Sequence, residues 1–208
     1  MVYNNGMKVK KGVMSMNNID KIKNIISKNN GILLTQDITQ NNIHRQYIKI
    51  LENEGVIEKV ARGIYVEKGK NISEFYILMQ KYKKCVFSHN TALYFYDLTD
   101  RTPINLDLTF PSYFTVHDNT IKIHYIKEEL FELGKIDFEL EDGTIIKIYD
   151  LERTICDIIR DRNKIDPQIF NDTLKNYLKR KDKNLVKLYK YAKEFNIDMI
   201  LRTYMEVL

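Results

Sequence analysis

Residues Leu33 to Val66, LLTQDITQNNIHRQYIKILENEGVIEKVARGIYV, decide the fold of the first half of the chain. Thr35 stands where a helix cap belongs, and Asp37 falls in the first turn, where the helix dipole favours a carboxylate. Leu34 and Ile38 are expected to face inward, and Thr39-Gln40-Asn41 to form a turn. From about Asn42 to Glu54, Ile43, Tyr47, Ile48 and Leu51 recur at helical spacing, and Gly55 stops the helix. Val56 to Val60 then alternates, Ala61-Arg62-Gly63 turns, and Ile64 to Val66 returns, which is the pattern of a hairpin. Upstream, Ile22, Ile25, Ile26 and Asn29 share a helical period that opens at Ile19-Asp20 and closes at Gly31. Helix, helix, turn, helix and hairpin in this order predict a winged helix-turn-helix over residues 17–70.

That shape points to duplex DNA. A helix fits the major groove, where Arg, Asn and Gln match the donors and acceptors on base edges. The outward residues of the third helix are Asn42, His44, Arg45, Gln46 and Lys49. Arg45 suits guanine, and Asn42 or Gln46 suits adenine. Lys49, Lys59 and His44 suit phosphate, which positions a protein without specifying sequence. Arg62, at the tip of the hairpin, suits a narrow minor groove. The competing reading is a winged helix used for protein contact, because a fold does not fix its function.

Charge is distributed accordingly. Residues 1–70 hold 12 Lys+Arg against 6 Asp+Glu, a net of +6, of which Lys8, Lys10 and Lys11 lie in the tail. Residues 71–208 hold 21 against 22, a net of −1. The positive excess therefore sits with the half expected to meet phosphate. The hydrophobic fraction of 44% supports globular cores. Cys85 and Cys156 lie in apolar surroundings without metal-ligand spacing, as buried thiols do in a reducing compartment. No run has the length of a membrane span, and no signal peptide is visible, so the expected location is cytoplasmic. Residues 1–16 read as a disordered tail.

Residues 71–208 predict an α+β domain with a helical tail. Residues 71–83 read as a helix. Cys85-Val86-Phe87 is a short strand, and Ser88 is placed to cap a helix from His89 to Tyr96. Ile104 to Phe110, Ile121 to Ile126, Phe138 to Leu140 and Ile145 to Tyr149 read as strands, with Glu141-Asp142-Gly143-Thr144 as a turn. Asp150 caps a helix carrying Leu151, Ile155, Ile158 and Ile159, and three more helices follow from Pro167. Asp107, Glu139 and Lys147 are the residue types of a metal-dependent nuclease, in which carboxylates hold Mg²⁺ and a lysine assists the attacking water. Ser88 and His89 are adjacent, so a capping hydroxyl is expected rather than a nucleophile and base. Glu152 and Arg153 are expected to make a structural ion pair with the sheet. Lys179-Arg180-Lys181-Asp182-Lys183 reads as a solvated loop, with contact to flanking DNA or an acidic partner as the alternative. No Gly-rich phosphate loop and no zinc spacing is present, so no cofactor, no metal and no catalytic residue is expected.

Taken together, IHRQYIKILENEGVIEKVARGIYV, FSHNTALYFYDLTDRTP at 87–103, LDLTFP at 106–111 and YDLERTICDIIRDR at 149–162 resemble the AbiEi family of antitoxins from type IV toxin–antitoxin systems, which act in abortive infection, a phage defence. The resemblance implies an N-terminal winged helix that binds inverted repeats upstream of its own operon and represses it, through Asn42, His44, Arg45, Gln46, Lys49, Lys59 and Arg62. It implies a C-terminal antitoxin domain at 71–208, and a toxin of the nucleotidyltransferase type that forms no stable complex with the antitoxin. Two copies on an inverted repeat imply a dimer on DNA.

Overall fold

The structure, a computed structural model, describes residues 17–141 and 143–207. The expected tail 1–16 and Asp142 of the expected turn lie outside the described residues. The described chain divides after Ile72 into two units.

In the first unit the order is α1 (Asn18–Lys28), β1 (Ile32–Leu34), α2 (Thr35–Gln40), α3 (Gln46–Asn53), β2 (Ile57–Ala61) and β3 (Ile64–Glu67). The three strands form an antiparallel sheet in the order β1-β3-β2. Ile22, Ile26, Leu33, Ile38, Ile48 and Leu51 fill its core. Strand β1 was not expected from the sequence. Pairing with β3 draws residues 32–34 out of the loop, so Ile32 and Leu33 are buried, and Leu34, expected inside, is only partly so. Leu34 rather than Thr35 occupies the cap position of α2, and the Asp37 carboxylate accepts its N–H at 3.0 Å.

The third helix is shorter than its periodicity suggests, starting at Gln46 instead of about Asn42. The cause is how α2 ends. Asn42 takes a left-handed φ of +54° and donates its N–H to Thr39 O at 3.1 Å; Ile43 donates to Ile38 O at 2.9 Å. This is a Schellman stop with asparagine in the glycine position, and the Ile43–Ile38 apolar pair that accompanies it belongs to the core. The turn is therefore Asn41–Arg45, not Thr39–Asn41. The same device ends α1, where Asn30 (φ +54°) takes the left-handed position ahead of Gly31, and α3, where Gly55 takes it.

The second unit contains α4 (Glu74–Lys81), β4 (Val86–Phe87), α5 (His89–Phe95), β5 (Leu106–Pro111), β6 (Ile121–Ile126), α6 (Glu128–Phe131), β7 (Lys135–Glu139), β8 (Ile145–Tyr149), α7 (Leu151–Arg160), α8 (Pro167–Lys179), α9 (Leu185–Glu194) and α10 (Asp198–Val207). The architecture is the expected mixed α+β. The sheet order is β6-β5-β4-β8-β7, with β4-β8 and β5-β6 parallel and the other pairs antiparallel. One face packs Phe87, Leu108, Phe110, Ile146 and Ile148 with Phe75 and Met79 of α4. The other carries α7 and the helices behind it. Ile104, expected to start a strand, is fully exposed, and the strand begins at Leu106. Cys85 and Cys156 are buried free thiols, and burial pushes Cys85 up to about 12. No helix among the described residues is long and apolar enough to cross a membrane.

Helix α7 is buried from Leu151 to Ile159, charged residues included. Asp150 caps it as expected, accepting Arg153 N–H at 2.8 Å. Glu152 and Arg153 do not pair with a charge on the sheet: their ionic partners are Lys187 on α9 and Asp157 on α7. The Glu152 carboxylate accepts the N–H of Asn184 at 2.9 Å, ahead of α9. Arg153 is fully buried between the rings of Tyr149 and Phe195, 3.9 and 4.5 Å from its guanidinium carbon. It bonds Asp157 at 3.0 Å and donates Nη1 to Leu130 O and Leu133 O at 2.7 and 2.6 Å. Gly134 is required beside it, because with φ +76° a Cβ there would lie 2.6 Å from Arg153 Cβ. Breaking a buried charge pair by removing one partner costs about 3–5 kcal/mol. Arg153→Met is expected to destabilise the protein on that scale in urea unfolding followed by circular dichroism. A loss below about 1 kcal/mol, the range of an exposed pair, would show that the guanidinium is not a fixed part of the core.

Candidate nucleic-acid interface

All seven sequence-selected residues are exposed. Asn42 sits at the left-handed stop of α2, and His44 and Arg45 lead into α3 rather than lying within it. His44 Nδ1 accepts the N–H of Gln46 at 3.3 Å, so the imidazole turns back over the first turn of the helix. Gln46 is the first helical residue, and Lys49 lies one turn on. Ile50 and Asn53 share their stripe, because positions i, i+3, i+4 and i+7 fall on one face. Ile50, 37% exposed, was missed by a search for polar residues; the signal was its place beside Lys49, outside the buried set Ile48 and Leu51. An apolar side chain on such a face suits the methyl group of thymine.

Lys59 and Arg62 lie on the hairpin, Lys59 on β2 opposite Tyr65 and Arg62 in the turn between Ala61 and Ile64. A bulge between Lys59 and Ala61 leaves Val60 unpaired in register and 41% exposed. Gly63 makes the turn with φ +78°. Its carbonyl accepts Thr35 N–H at 2.9 Å and the Thr35 hydroxyl at 3.3 Å. The hairpin tip is thus tied to the start of α2. The other end of that joint is Asp37, which holds Leu34 N–H and the Asn29 side-chain amide at 3.2 Å. Residues 17–72 hold 9 Lys+Arg against 6 Asp+Glu, so the described part of this unit keeps a net charge of +3.

The nuclease constellation does not assemble. Asp107 is on β5, Glu139 on β7 and Lys147 on β8, so three strand spacings, about 14 Å, separate Asp107 from the strand of Glu139. Lys147 pairs with Asp137. In the 179–183 cluster, Arg180 is folded back, bonding Asp182 through two nitrogens at 2.8 Å each and Tyr96 O at 2.7 Å. Lys183 donates to Arg180 O. This segment is a structured joint between α8 and α9.

Residues 20–68 match the family described as "Transcriptional regulator, AbiEi antitoxin". The resemblance read from the sequence is thereby shown for the segment that carries α1 to β3, and with it a relation to antitoxins and transcriptional regulators. No curated protein matches. Among solved structures, the chain is similar to the RV2827C protein from Mycobacterium tuberculosis, with 12% identity and a TM-score of 0.56, covering 83% of this chain and 70% of that one. At that identity the likeness concerns the fold.

The Asp37 joint is testable by itself. Asp37→Ala is expected to cost about 0.5–2 kcal/mol, the range for a lost capping acceptor. Asp37→Asn, which keeps an acceptor oxygen, should recover most of it in thermal unfolding. Equal losses in the two variants would mean that the carboxylate charge, not the bond to Leu34 N–H, matters.

Proposed function

We propose that the first unit is a winged helix-turn-helix that reads DNA, and that the protein is the antitoxin and autorepressor of a type IV toxin–antitoxin operon, binding inverted repeats upstream of its own genes. The observation that carries this reading is the exposed polar run from Asn42 through Gln46 and Lys49, continued by Lys59 and Arg62 on the hairpin, inside the segment that matches the regulator family. Arg45 and Gln46, at the start of α3, read base edges, as the first residues of a recognition helix do. Lys49, Lys59 and His44 meet phosphate, and Arg62 enters a minor groove. One such unit spans few base pairs, so two copies bind as a dimer on half-sites about 34–36 Å apart, or a multiple of it. The toxin is a nucleotidyltransferase encoded alongside, neutralised without a stable complex. The protein works in the cytoplasm, needs no cofactor for this task and is not an enzyme.

A second reading, in which the same face contacts a protein, rests on the exposed Ile50 and Val60. It expects no salt-dependent affinity for DNA.

Fluorescence anisotropy with the protein's own upstream DNA and a scrambled control, at low and near-physiological salt, separates the two. Tight binding to the upstream DNA alone, persisting at the higher salt, is the expected result. Arg45→Ala should cost about 1–3 kcal/mol and relax specificity, whereas Lys59→Ala should weaken all sequences alike and lower the salt slope by about one. Equal or absent binding to both DNAs would sink the repressor reading.

A further inference from the structure

Strand β5 alternates apolar and polar residues, yet its polar face is buried too: Asp107 and Thr109 are 1% and 2% exposed. What covers that face is a set of groups far apart in sequence. His124 on β6 stands in register with Thr109. His89 opens α5 with a left-handed φ of +46°, a conformation that strains a residue with a Cβ. Asp161 ends α7. The three meet at a cavity of about 360 Å³ that Asp157, Arg160 and Lys164 also line.

The far nitrogen of each ring is held. His124 Nε2 lies 2.6 Å from Asp107 Oδ1, and a carboxylate accepts there, so a proton is on Nε2, and once Nδ1 is deprotonated its lone pair turns the other way. His89 Nδ1 lies 3.0 Å from Ser88 Oγ, and Ser88 Oγ accepts the Thr109 hydroxyl at 2.8 Å. With Nδ1 as donor, His89 Nε2 presents its lone pair. The serine does not cap α5, as its position in the sequence suggested. Its backbone is extended, and the left-handed turn at His89 swings the imidazole round to its hydroxyl.

Both near nitrogens face one atom. His89 Nε2 and His124 Nδ1 each lie 3.5 Å from Asp161 Oδ2. That is too long for an N–H···O bond. It matches the separation of two ligand atoms about a tetrahedral ion with bonds of about 2.0–2.1 Å, which is about 3.4 Å. All three candidate atoms lie within 4.8 Å of one another. A carboxylate behind one histidine and a hydroxyl behind the other are the outer partners that orient metal-binding imidazoles.

We propose that His89 Nε2, His124 Nδ1 and Asp161 Oδ2 bind one divalent transition-metal ion of the zinc class, with a fourth position open to the cavity. Two imidazoles and one carboxylate suit such an ion, and three protein ligands leave room for water. The rings are stacked, with centroids 3.5 Å apart and planes 9° from parallel. A shared ion lies in both ring planes only after one imidazole turns about its Cβ–Cγ bond, a torsion with a broad well. His89, whose outer partner is a hydroxyl rather than a carboxylate, is the ring that turns. Ligand spacing along the chain does not reveal such a site, because 35 residues separate His89 from His124 and another 37 separate His124 from Asp161.

The test is titration of the 208-residue chain, first stripped with a chelator, with Co²⁺ and then Zn²⁺. One Co²⁺ per chain is expected, with the visible ligand-field bands of a low-coordinate site, displaced by one equivalent of Zn²⁺. His89→Gln and His124→Gln should each abolish the bands. Asp107→Asn, which leaves every ligand atom in place, should weaken binding about 10–100-fold. His117→Ala, on the exposed connection between β5 and β6, should change nothing. Nitrogen NMR of the imidazoles in the unsubstituted chain identifies the ligands even if a variant fails to fold: His89 and His124 should shift on adding Zn²⁺. A chain that takes up neither ion overturns the proposal, as does uptake that leaves both rings unshifted.

Discussion

The buried guanidinium of Arg153 is the constraint around which the second unit is organised. A charge taken fully out of water is tolerable only if its donors find acceptors close by. Nε and Nη1 find theirs in Asp157 on its own helix and two carbonyls at and after α6, Nη2 has no hydrogen-bond partner among the described residues, and Tyr149 and Phe195 cover the two faces. One side chain thus dictates that α6 lies beside α7, that residue 134 is glycine, and that a ring from the helical tail closes over the group. Asp157 passes the constraint on, because its other oxygen accepts from Arg160 at 2.9 Å. Arg160 lines the cavity where His89, His124 and Asp161 meet. The core pair and the candidate metal site are therefore neighbours on one helix.

In the first unit the corresponding constraint is how helices stop. Three consecutive helices end in the same left-handed turn, with Asn30, Asn42 and Gly55 in the position that needs positive φ. Each stop buries the next apolar residue or starts the next strand, so no segment between α1 and β2 is left to wander. The stop at Asn42 moves Asn42, His44 and Arg45 off the helix and onto its approach. Only Gln46 and Lys49 of the expected recognition set sit on the helical face itself, where Ile50 and Asn53 join them.

Much of this was legible from local pattern. The hairpin around Arg62-Gly63, the apolar stripe Ile48 and Leu51, the cap at Asp150 and the three closing helices follow from periodicity and from the residues that begin and end elements. Errors fell where a local signal had two solutions. Asn42 reads equally well as a helix start or as a left-handed stop. Thr35 has the chemistry of a cap, but its hydroxyl bonds the Gly63 carbonyl 28 residues away. Ser88 likewise reads as a cap, and a positive φ on the next residue gives its hydroxyl to His89 and Thr109 instead.

The sequence by itself determined the order of elements, the placing of positive charge in the first half and the family relation of residues 20–68. These depend on backbone stereochemistry and on neighbours a few residues apart, which any short window contains. Only the tertiary structure decided that Asp107, one of three residues with the types of a nuclease centre, stands behind His124 and apart from Glu139 and Lys147, and that His89 and Asp161 complete the group. Parallel pairing of β5 with β6 sets that register, and α5 and α7 then converge on the covered polar face. Alternation along β5 shows that one face is polar. It carries no information about which distant elements will bury that face, because burial is settled by packing between segments and not by the period of either one.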